Sequence, residues 1–229
     1  MKIAIVSRGL IRSPHDNIQI VPDVRALNTK NADWCCENLD MLKDSMKHHE
    51  VTTFFSSWSV PNSLEMANRN YFDHYLFMKQ PTLDEAWNLV PAIPIWFKDP
   101  THPLHKRVSL YGFFCQSRAV MNLVNSIGKD YDYVVATRPD VRVKPSNIDE
   151  WFNDKYMVPA QHFTNFNDHF NVASLKMMTD VWVNSWNWKS LLEVTERSND
   201  TEDIVKNLVL SSGYQYDTNG NFNEYTWRS

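Results

Sequence analysis

The sequence is poor in cysteine and glycine. Among its 229 residues are three cysteines and five glycines. Cys35 and Cys36 are adjacent, so they cannot easily bridge each other without strain, and the number of cysteines is odd. This excludes a disulfide framework and predicts a reducing compartment. Neither GxGxxG nor GxxxxGK occurs, which excludes the usual dinucleotide fingerprint and the P-loop.

An excess of one charge and a long hydrophobic run are also lacking. The chain has 23 Lys and Arg residues against 27 Asp and Glu, so no polybasic stripe predicts binding to nucleic acid or to a membrane surface. The apolar run near the N-terminus is far too short for a signal peptide or a membrane span. We therefore expect a soluble, cytoplasmic protein. The length suits one domain over residues 1–229.

Aromatic residues, by contrast, are abundant, with 9 Trp, 9 Tyr and 12 Phe. The face of an aromatic ring matches the C–H face of a pyranose, so the abundance slightly favours a sugar-binding protein. Aromatic residues more often belong to the core, however, and composition leaves both interpretations open.

The most informative stretch is a buried strand that ends abruptly. The run Tyr133–Thr137 is β-branched and aromatic throughout, as expected for a strand that is covered on both faces. Arg138, Pro139 and Asp140 follow directly, and in open α/β sheets ligands bind at the carboxyl ends of strands. Asp140 between arginines predicts either a ligand site or a structural Arg–Asp pair, and the stretch alone favours neither.

Apolar periodicity and turn residues predict the other elements. A strand at 3–7, an amphipathic helix at 33–48 and a strand at 51–58 give a β-α-β opening, which is right-handed and parallel almost by rule. The later predictions are a possible helix at 64–78, a long helix from Val108 that ends at Gly128, a short helix at 147–152, a strand at 156–158, a possible strand reaching Val172, a helix from Ser174, a helix at 201–211 and an irregular tail.

Two short patterns each allow two interpretations. Gly9 and Arg12, just past the first strand, can bring backbone N–H groups and a guanidinium to a phosphate, although an ordinary turn with surface arginines explains them as well. His102 and His105 stand in a proline-rich stretch that lacks further ligands at metal-site spacing. That pair therefore favours a solvated loop over a metal site.

Several separated motifs follow one another in a characteristic order. They are Gly9-x-x-Arg12 after the first strand, Trp58 at the end of the second, Tyr131-Asp132-Tyr133-Val134-Val135-x-x-Arg138-x-Asp140 after the long helix, Asn167-Asp168-x-Phe170 before Ser174, and finally Glu202 and Arg228. In this order and spacing they resemble a group of GT-A-type nucleotide-sugar glycosyltransferases found in bacterial, phage and large-virus genomes. The resemblance covers almost the whole chain.

The resemblance implies a fold and an activity. The fold is α/β and GT-A-like (Rossmann-like), with a mostly parallel central sheet flanked by helices. The activity is transfer of a hexosyl or pentosyl group from a nucleoside-diphosphate sugar, such as a UDP- or GDP-sugar, to a hydroxyl of a glycan or glycoprotein. The residues that it implies on the donor side are Ser7, Arg8, Gly9, Arg12, Trp58, Arg138 and Arg142.

The sequence departs from the family pattern at the metal site. GT-A enzymes commonly hold their divalent cation with Asp-x-Asp, whereas this chain has Asp140-Val141-Arg142. Asp140 then holds Mn²⁺ or Mg²⁺ largely through water and the diphosphate. Alternatively, Arg142 with Arg12 or Arg8 neutralises the diphosphate directly, and Asp140 positions the sugar hydroxyls.

Asp168 is the predicted catalytic base. An inverting transfer needs a carboxylate within hydrogen-bond reach of the acceptor hydroxyl, and Asp168 stands where the resemblance puts that group. His169 and His162 are alternatives. An Asx turn that leads into a strand explains Asn167-Asp168 equally well, and a retaining transfer requires no separate base.

Two rival functions remain open at this point. In the first, the acceptor is a hydroxymethylated base in phage-type DNA, with a basic segment at Lys98, His102, His105, Lys106 and Arg107. In the second, the chain is a catalytically inactive GT-A-like binding module, an interpretation that the altered Asp-x-Arg motif favours.

Overall fold

The computed structural model of the protein describes residues 1–9, 29–59, 70–79, 103–139, 141–145, 147–159, 169–184, 201–217 and 222–227. Strands and helices alternate over the first half of the chain. In chain order the elements are β1 (Lys2–Arg8), α1 (Thr29–Ser45), β2 (Glu50–Trp58), β3 (His74–Met78), α2 (Pro103–Ser126), β4 (Tyr133–Thr137), β5 (Val141–Pro145), a 3-10 turn (Ile148–Trp151), β6 (Tyr156–Pro159), β7 (Phe170–Ser174), α3 (Leu175–Thr179), a π turn (Asp180–Asn184), α4 (Thr201–Ser211), β8 (Gln215–Tyr216) and β9 (Phe222–Trp227).

Seven of the described strands form one mixed sheet in the order β3-β2-β1-β4-β7-β6-β8. The strands β3, β2, β1 and β4 are mutually parallel. Strand β7 runs antiparallel to both of its neighbours, β4 and β6, and β8 is parallel to β6. The predicted α/β fold with a mostly parallel central sheet and flanking helices is therefore confirmed.

The central strands are buried on both faces because their apolar runs serve two cores. Successive side chains of a strand point to opposite faces of the sheet. In β1, Ala4 and Val6 join the cluster that contains residues of α2 and α4, whereas Ile3 and Ile5 join the cluster that contains residues of α1. This explains why the sequences of β1 and β4 are continuously hydrophobic and do not alternate between apolar and polar residues.

Helix α1 packs on one face of the sheet through Leu39 and Leu42, and Met46, the residue after its last, packs there as well; these are periodic positions that predicted a helix. It begins and ends earlier than the predicted range of 33–48. The backbone N–H of Met46 donates to the carbonyl of Lys43 at 2.9 Å, an i to i−3 bond that tightens the end of the helix. His48 and His49 consequently lie in the turn that leads into β2.

Helix α2 begins at Pro103, five residues before the predicted start at Val108. Proline suits the first position of a helix, because the N–H that it lacks would have no intrahelical partner there. His105 is therefore helical rather than part of a loop, and His102 lies outside the described residues. The predicted end is confirmed, since α2 ends at Ser126 and Gly128 follows at a φ of +70°.

The possible helix at 64–78 is wrong for its last part, because His74–Met78 forms strand β3 beside β2. Asp73 fixes this pairing: it accepts hydrogen bonds from the backbone N–H and the hydroxyl of Thr53, at 2.7 and 2.8 Å. Phe72 stacks on Phe55 with ring centroids 4.6 Å apart. These contacts join residues about twenty positions apart, so local apolar spacing did not reveal them.

The tail is not irregular throughout, as the sequence predicted. Strand β9 pairs antiparallel with β5 and forms a second, two-stranded sheet. Strand β8 extends the main sheet beside β6. Both strands are stabilised by pairing with strands that are distant in sequence, and local propensity contains no information about such pairing. Among the described residues, no helix is both long enough and apolar enough to cross a membrane.

The Asp73–Thr53 contact predicts a pH-dependent contribution to stability. Burial opposes ionisation, but the hydrogen bonds from Thr53 outweigh it and hold the pKa of Asp73 below its ordinary value. We expect Asp73→Ala to lower the free energy of unfolding by about 1 kcal/mol at pH 7, given the exposure of the carboxylate. Because the folded-state pKa is the lower one, this difference should shrink as the pH falls below about 4.

Urea unfolding at several pH values measures this effect. Asp130→Ala, which removes an exposed carboxylate, serves as the matched control and should leave stability almost unchanged. An Asp73→Ala variant that matches the control at neutral pH would contradict the assignment.

Candidate functional site

The carboxyl ends of β1, β2 and β4 lie at one edge of the sheet, called here the carboxyl edge. The register pairs Ser7 with Phe55 of β2 and with Thr137 of β4, so the residues after these positions emerge side by side. From β1 the chain passes through α1 to β2 on one side, whereas β4 lies on the other side. This is a topological switch point, where open α/β sheets bind their ligands.

Gly9 occupies the switch point in a conformation that favours glycine. Its φ is +117°, which L side chains rarely adopt. Its N–H donates to the carbonyl of Ser56 at 3.1 Å, which continues the β1–β2 pairing by one residue. A Cβ atom at this position would lie 3.9 Å from Cδ of Pro139, so the strand ends of β1 and β4 approach each other closely here.

Ser7 and Asn38 line a small hollow beneath the carboxyl edge. The hollow measures about 10 Å³, room for roughly one water molecule. Asn38 is 4% exposed, and its Nδ2 donates to the carbonyl of Pro139 at 3.3 Å. Its Oδ1 has no hydrogen-bond partner among the described residues. Helix α1 thereby fixes the turn that follows β4.

Arg8 faces the opposite side of the sheet from Ser7. It is 2% exposed, and its guanidinium carbon lies 4.7 Å from the ring centroid of Phe113 and 5.4 Å from that of Trp182. A desolvated guanidinium between aromatic faces gains a substantial cation–π attraction. The α2 side of the carboxyl edge therefore carries a buried positive charge held by aromatic rings.

Arg138 begins the turn between β4 and β5. Its carbonyl accepts hydrogen bonds from the N–H of Val141, at 3.2 Å, and from the hydroxyl of Thr137, at 3.3 Å. Arg142 follows in β5, where its Nε donates to the sulfur of Met41 at 3.1 Å. Arg138 thus stands at the carboxyl edge, while Arg142 lies along helix α1.

Trp58 and the start of β7 also lie at this edge. Trp58 ends β2 opposite Met78 of β3 and is 6% exposed, so its indole is mostly buried. Strand β7 runs in the reverse direction, and its first residue, Phe170, pairs with Thr137. The half-buried His169 therefore enters the sheet at the carboxyl edge.

The structure brings together five of the residues predicted for the donor side: Ser7, Arg8, Gly9, Trp58 and Arg138. Arg12, Asp140 and Asp168 lie outside the described residues, so their roles stay predictions. Along the chain, Asp140 stands between Pro139 and Val141, and Asp168 directly precedes His169.

The described strand ends do not by themselves make a site for Mn²⁺ or Mg²⁺. Such cations need several oxygen ligands, and the ends of β1 and β4 offer guanidinium groups, the Gly9 backbone and the hydroxyls of Ser7 and Thr137. This set fits an anion better than a cation. A group with metal-ligating side chains does occur elsewhere, at His48, His49 and Asp149, but these residues lie beside the opposite, amino ends of the strands.

A second polar cluster at the amino ends was not predicted from the sequence. Lys176 and Tyr214 both donate to Oδ2 of Asp180, at 2.6 and 2.5 Å, beside a broad cleft of about 600 Å³. Hydrogen bonds from Lys176, Tyr214 and Asn184 lower the pKa of Asp180 to about 2. The spacing of Lys176 and Asp180, four residues apart in a helical stretch, was the available signal.

No protein-family model matches the chain, and no curated protein matches it. Solved structures with similar folds include an active-site mutant of LgtC (15% identity, TM-score 0.48, 91% of this chain and 70% of that one) and mouse xyloside xylosyltransferase 1 (11%, 0.48, 95% and 85%). The glycosyltransferase GlyE from Streptococcus pneumoniae is similar over 94% of this chain and 44% of its own, at 12% identity and a TM-score of 0.42.

LgtC has also been solved as a galactosyltransferase with donor and acceptor sugar analogues, and that structure is similar to this chain at 12% identity and a TM-score of 0.44.

The contact between Asn38 and Pro139 should stabilise the carboxyl edge. Asn38→Ala leaves the Pro139 carbonyl without its N–H donor, and we expect a loss of about 1–2 kcal/mol in the free energy of unfolding. Chemical denaturation measures it, with Asp44→Ala on the exposed face of the same helix as control. Equal stability of the two variants would show that the turn is not held in this way.

Proposed function

We propose that the protein is a glycosyltransferase that moves a sugar from a nucleoside-diphosphate sugar to an acceptor hydroxyl of a glycan or glycoprotein. The observation that carries this proposal is the switch point between β1 and β4, where the separated sequence motifs at Gly9 and Arg138 become neighbours. The order of the motifs in the sequence supports the same activity. Residues 1–229 would act as one domain.

The donor diphosphate would bind across the carboxyl edge. Transfer breaks the bond between the anomeric carbon and the diphosphate oxygen, so negative charge accumulates on the leaving group. Arg138 and Arg12 are the proposed partners for that charge, because a guanidinium binds phosphate oxygens in a fixed, two-pronged geometry. Arg8, which lies beside Phe113, and Arg142 in β5 are the further guanidinium groups proposed for the donor side.

The remaining contacts to the donor would be made by a glycine backbone, a hydroxyl group and an aromatic ring. Glycine at position 9 lets the backbone approach the diphosphate without a side chain in the way. The hydroxyl of Ser7 lies two residues earlier, beside the hollow near Asn38. Trp58 ends its strand at the same edge and would border the base or the sugar.

Asp140 is the proposed contact to the sugar end of the donor. As a carboxylate directly after Arg138-Pro139, it would bind either the sugar hydroxyls or a divalent cation, Mn²⁺ or Mg²⁺. Comparing activity with added Mn²⁺ and with EDTA separates these two roles.

Asp168 is the proposed base. It would take the proton from the acceptor hydroxyl while the acceptor oxygen forms its bond to the anomeric carbon and the nucleoside diphosphate leaves. Its position is supported by the entry of β7 at the carboxyl edge, because His169, the next residue, is described there.

Donor hydrolysis tests the activity without knowledge of the acceptor. We expect the wild-type chain to release UDP or GDP slowly from a member of a panel of nucleotide sugars. Asp140→Asn and Asp168→Asn should each lower that rate by roughly 100-fold or more, since each removes a charge that acts on the reacting groups. Coupled nucleotide detection gives the rates.

The exposed Asp130→Asn is the matched control and should retain the wild-type rate. Absence of nucleotide release with every donor would overturn the proposal. Unchanged rates in both site variants would overturn the residue assignments.

Glycine at position 9 can be tested by donor binding. In Gly9→Ala the backbone must leave its φ of +117°, which disturbs the switch point. We expect the Kd for UDP or GDP, measured by calorimetry, to rise about tenfold, a loss of about 1.4 kcal/mol. Gly128→Ala also changes a glycine of positive φ, but after α2 at the opposite edge, and should leave the Kd unchanged. Equal effects of the two variants would contradict the binding role.

A further inference from the structure

Three side chains with metal-ligating atoms converge at the amino ends of the strands. His48 and His49 belong to the turn between α1 and β2, and Asp149 belongs to the 3-10 turn after β5. The Nε2 atoms of His48 and His49 lie 2.8 and 2.7 Å from the two carboxylate oxygens of Asp149. One ligand atom from each residue lies within 4.8 Å of the other two. The sequence separates the histidines from the aspartate by about a hundred residues.

The surrounding structure holds the ring of His49 and the backbone of Asp149. Asn147 caps the 3-10 turn, since its Oδ1 accepts a hydrogen bond from the N–H of Asp149 at 3.3 Å. The ring of His49 packs edge-on against Phe152 with centroids 5.7 Å apart, and its side chain is 8% exposed. A mostly buried imidazole and a capped aspartate lose little freedom when they bind an ion.

The chemistry of this donor set matches a transition-metal dication. Two imidazoles and one carboxylate are ligands that Zn²⁺ accepts, with Zn–N and Zn–O bonds of about 2.0–2.2 Å. Tetrahedral angles then place neighbouring ligand atoms about 3.3 Å apart. The present N–O distances of 2.7 and 2.8 Å, each to a different oxygen of Asp149, lie within about half to two thirds of an ångström of that value.

We propose that His48, His49 and Asp149 form a binding site for Zn²⁺, with water as the fourth ligand. The site joins the α1–β2 turn to the segment that follows β5. Each neutral imidazole binds through Nε2 with its proton on Nδ1, so the hydrogen bonds to Asp149 are replaced by bonds to the ion.

The position of the site determines what the ion does. His49 directly precedes β2, and Phe152 of the same region packs on Tyr133 at the start of β4, with ring centroids 4.9 Å apart. These residues lie at the amino ends of strands whose carboxyl ends form the proposed donor site. The ion is therefore structural, and the site is independent of the proposed transfer reaction.

The competing explanation is an ordinary His–Asp ion pair. Burial opposes the ionisation of Asp149, but the hydrogen bonds from His49 and His48 hold its pKa below its ordinary value, so these contacts favour the carboxylate without an ion. That pair, however, would bind no metal selectively. Metal titration distinguishes the two explanations.

The test uses the full chain without a histidine tag. Isothermal titration with ZnCl₂ should show one ion per chain with a Kd of about 10 μM or tighter. Co²⁺ should give the visible absorption bands of a tetrahedral site with nitrogen and oxygen ligands. Asp149→Asn and His48→Ala/His49→Ala should each raise the Kd at least roughly tenfold, because they remove ligands rather than supporting groups.

The control is His102→Ala/His105→Ala, which removes the other closely spaced pair of histidines and should leave the Kd unchanged. If the double variant at the site fails to fold, His48→Ala replaces it, because the side chain of His48 is 53% exposed. Wild-type affinity in the site variants, loss of binding in the control, or a wild-type Kd above about 1 mM would each overturn the proposal.

Discussion

Strand β1 is hydrogen-bonded between β2 and β4, and the register of these two pairings sets the positions of the other elements. It places Ser7 level with Phe55 and Thr137, and it thereby aligns the ends of all three strands. Both faces of these strands are buried under helices, so a slip of one residue would exchange the two cores. The switch point at Gly9 exists because this register is fixed.

The same sheet separates two kinds of chemistry. At the carboxyl edge, Arg8 and Arg138 flank Gly9, and this is the edge at which the diphosphate is proposed to bind. At the amino ends, imidazoles and carboxylates gather, as at His49 and Asp149, a combination suited to a cation. Parallel strands allow this division, because the segments that follow them lie at one edge of the sheet and the segments that precede them lie at the other.

Parts of the candidate site were predictable because they follow strands directly. The strongly apolar run Tyr133–Thr137 predicts where its strand ends, and the sequence therefore placed Arg138 at that end. The role of Asp140 stays a prediction. The cation–π contact of Arg8 and the bond from Asn38 to Pro139 could not be predicted, because their partners lie about a hundred residues away. The cluster that contains Asp149 was not predicted from the sequence, for the same reason.

Local patterns in the sequence were enough to predict the opening β-α-β unit, the long helix before β4 and the helix that begins at Ser174, and hence the α/β class. These features depend on local periodicity and on turn chemistry, both of which are carried by neighbouring residues. The folded chain was needed to show that His74–Met78 is a strand, that the tail pairs with β5, and which side chains meet at each edge. Those outcomes depend on partners far apart in the chain, whose contacts outweigh weak local preferences.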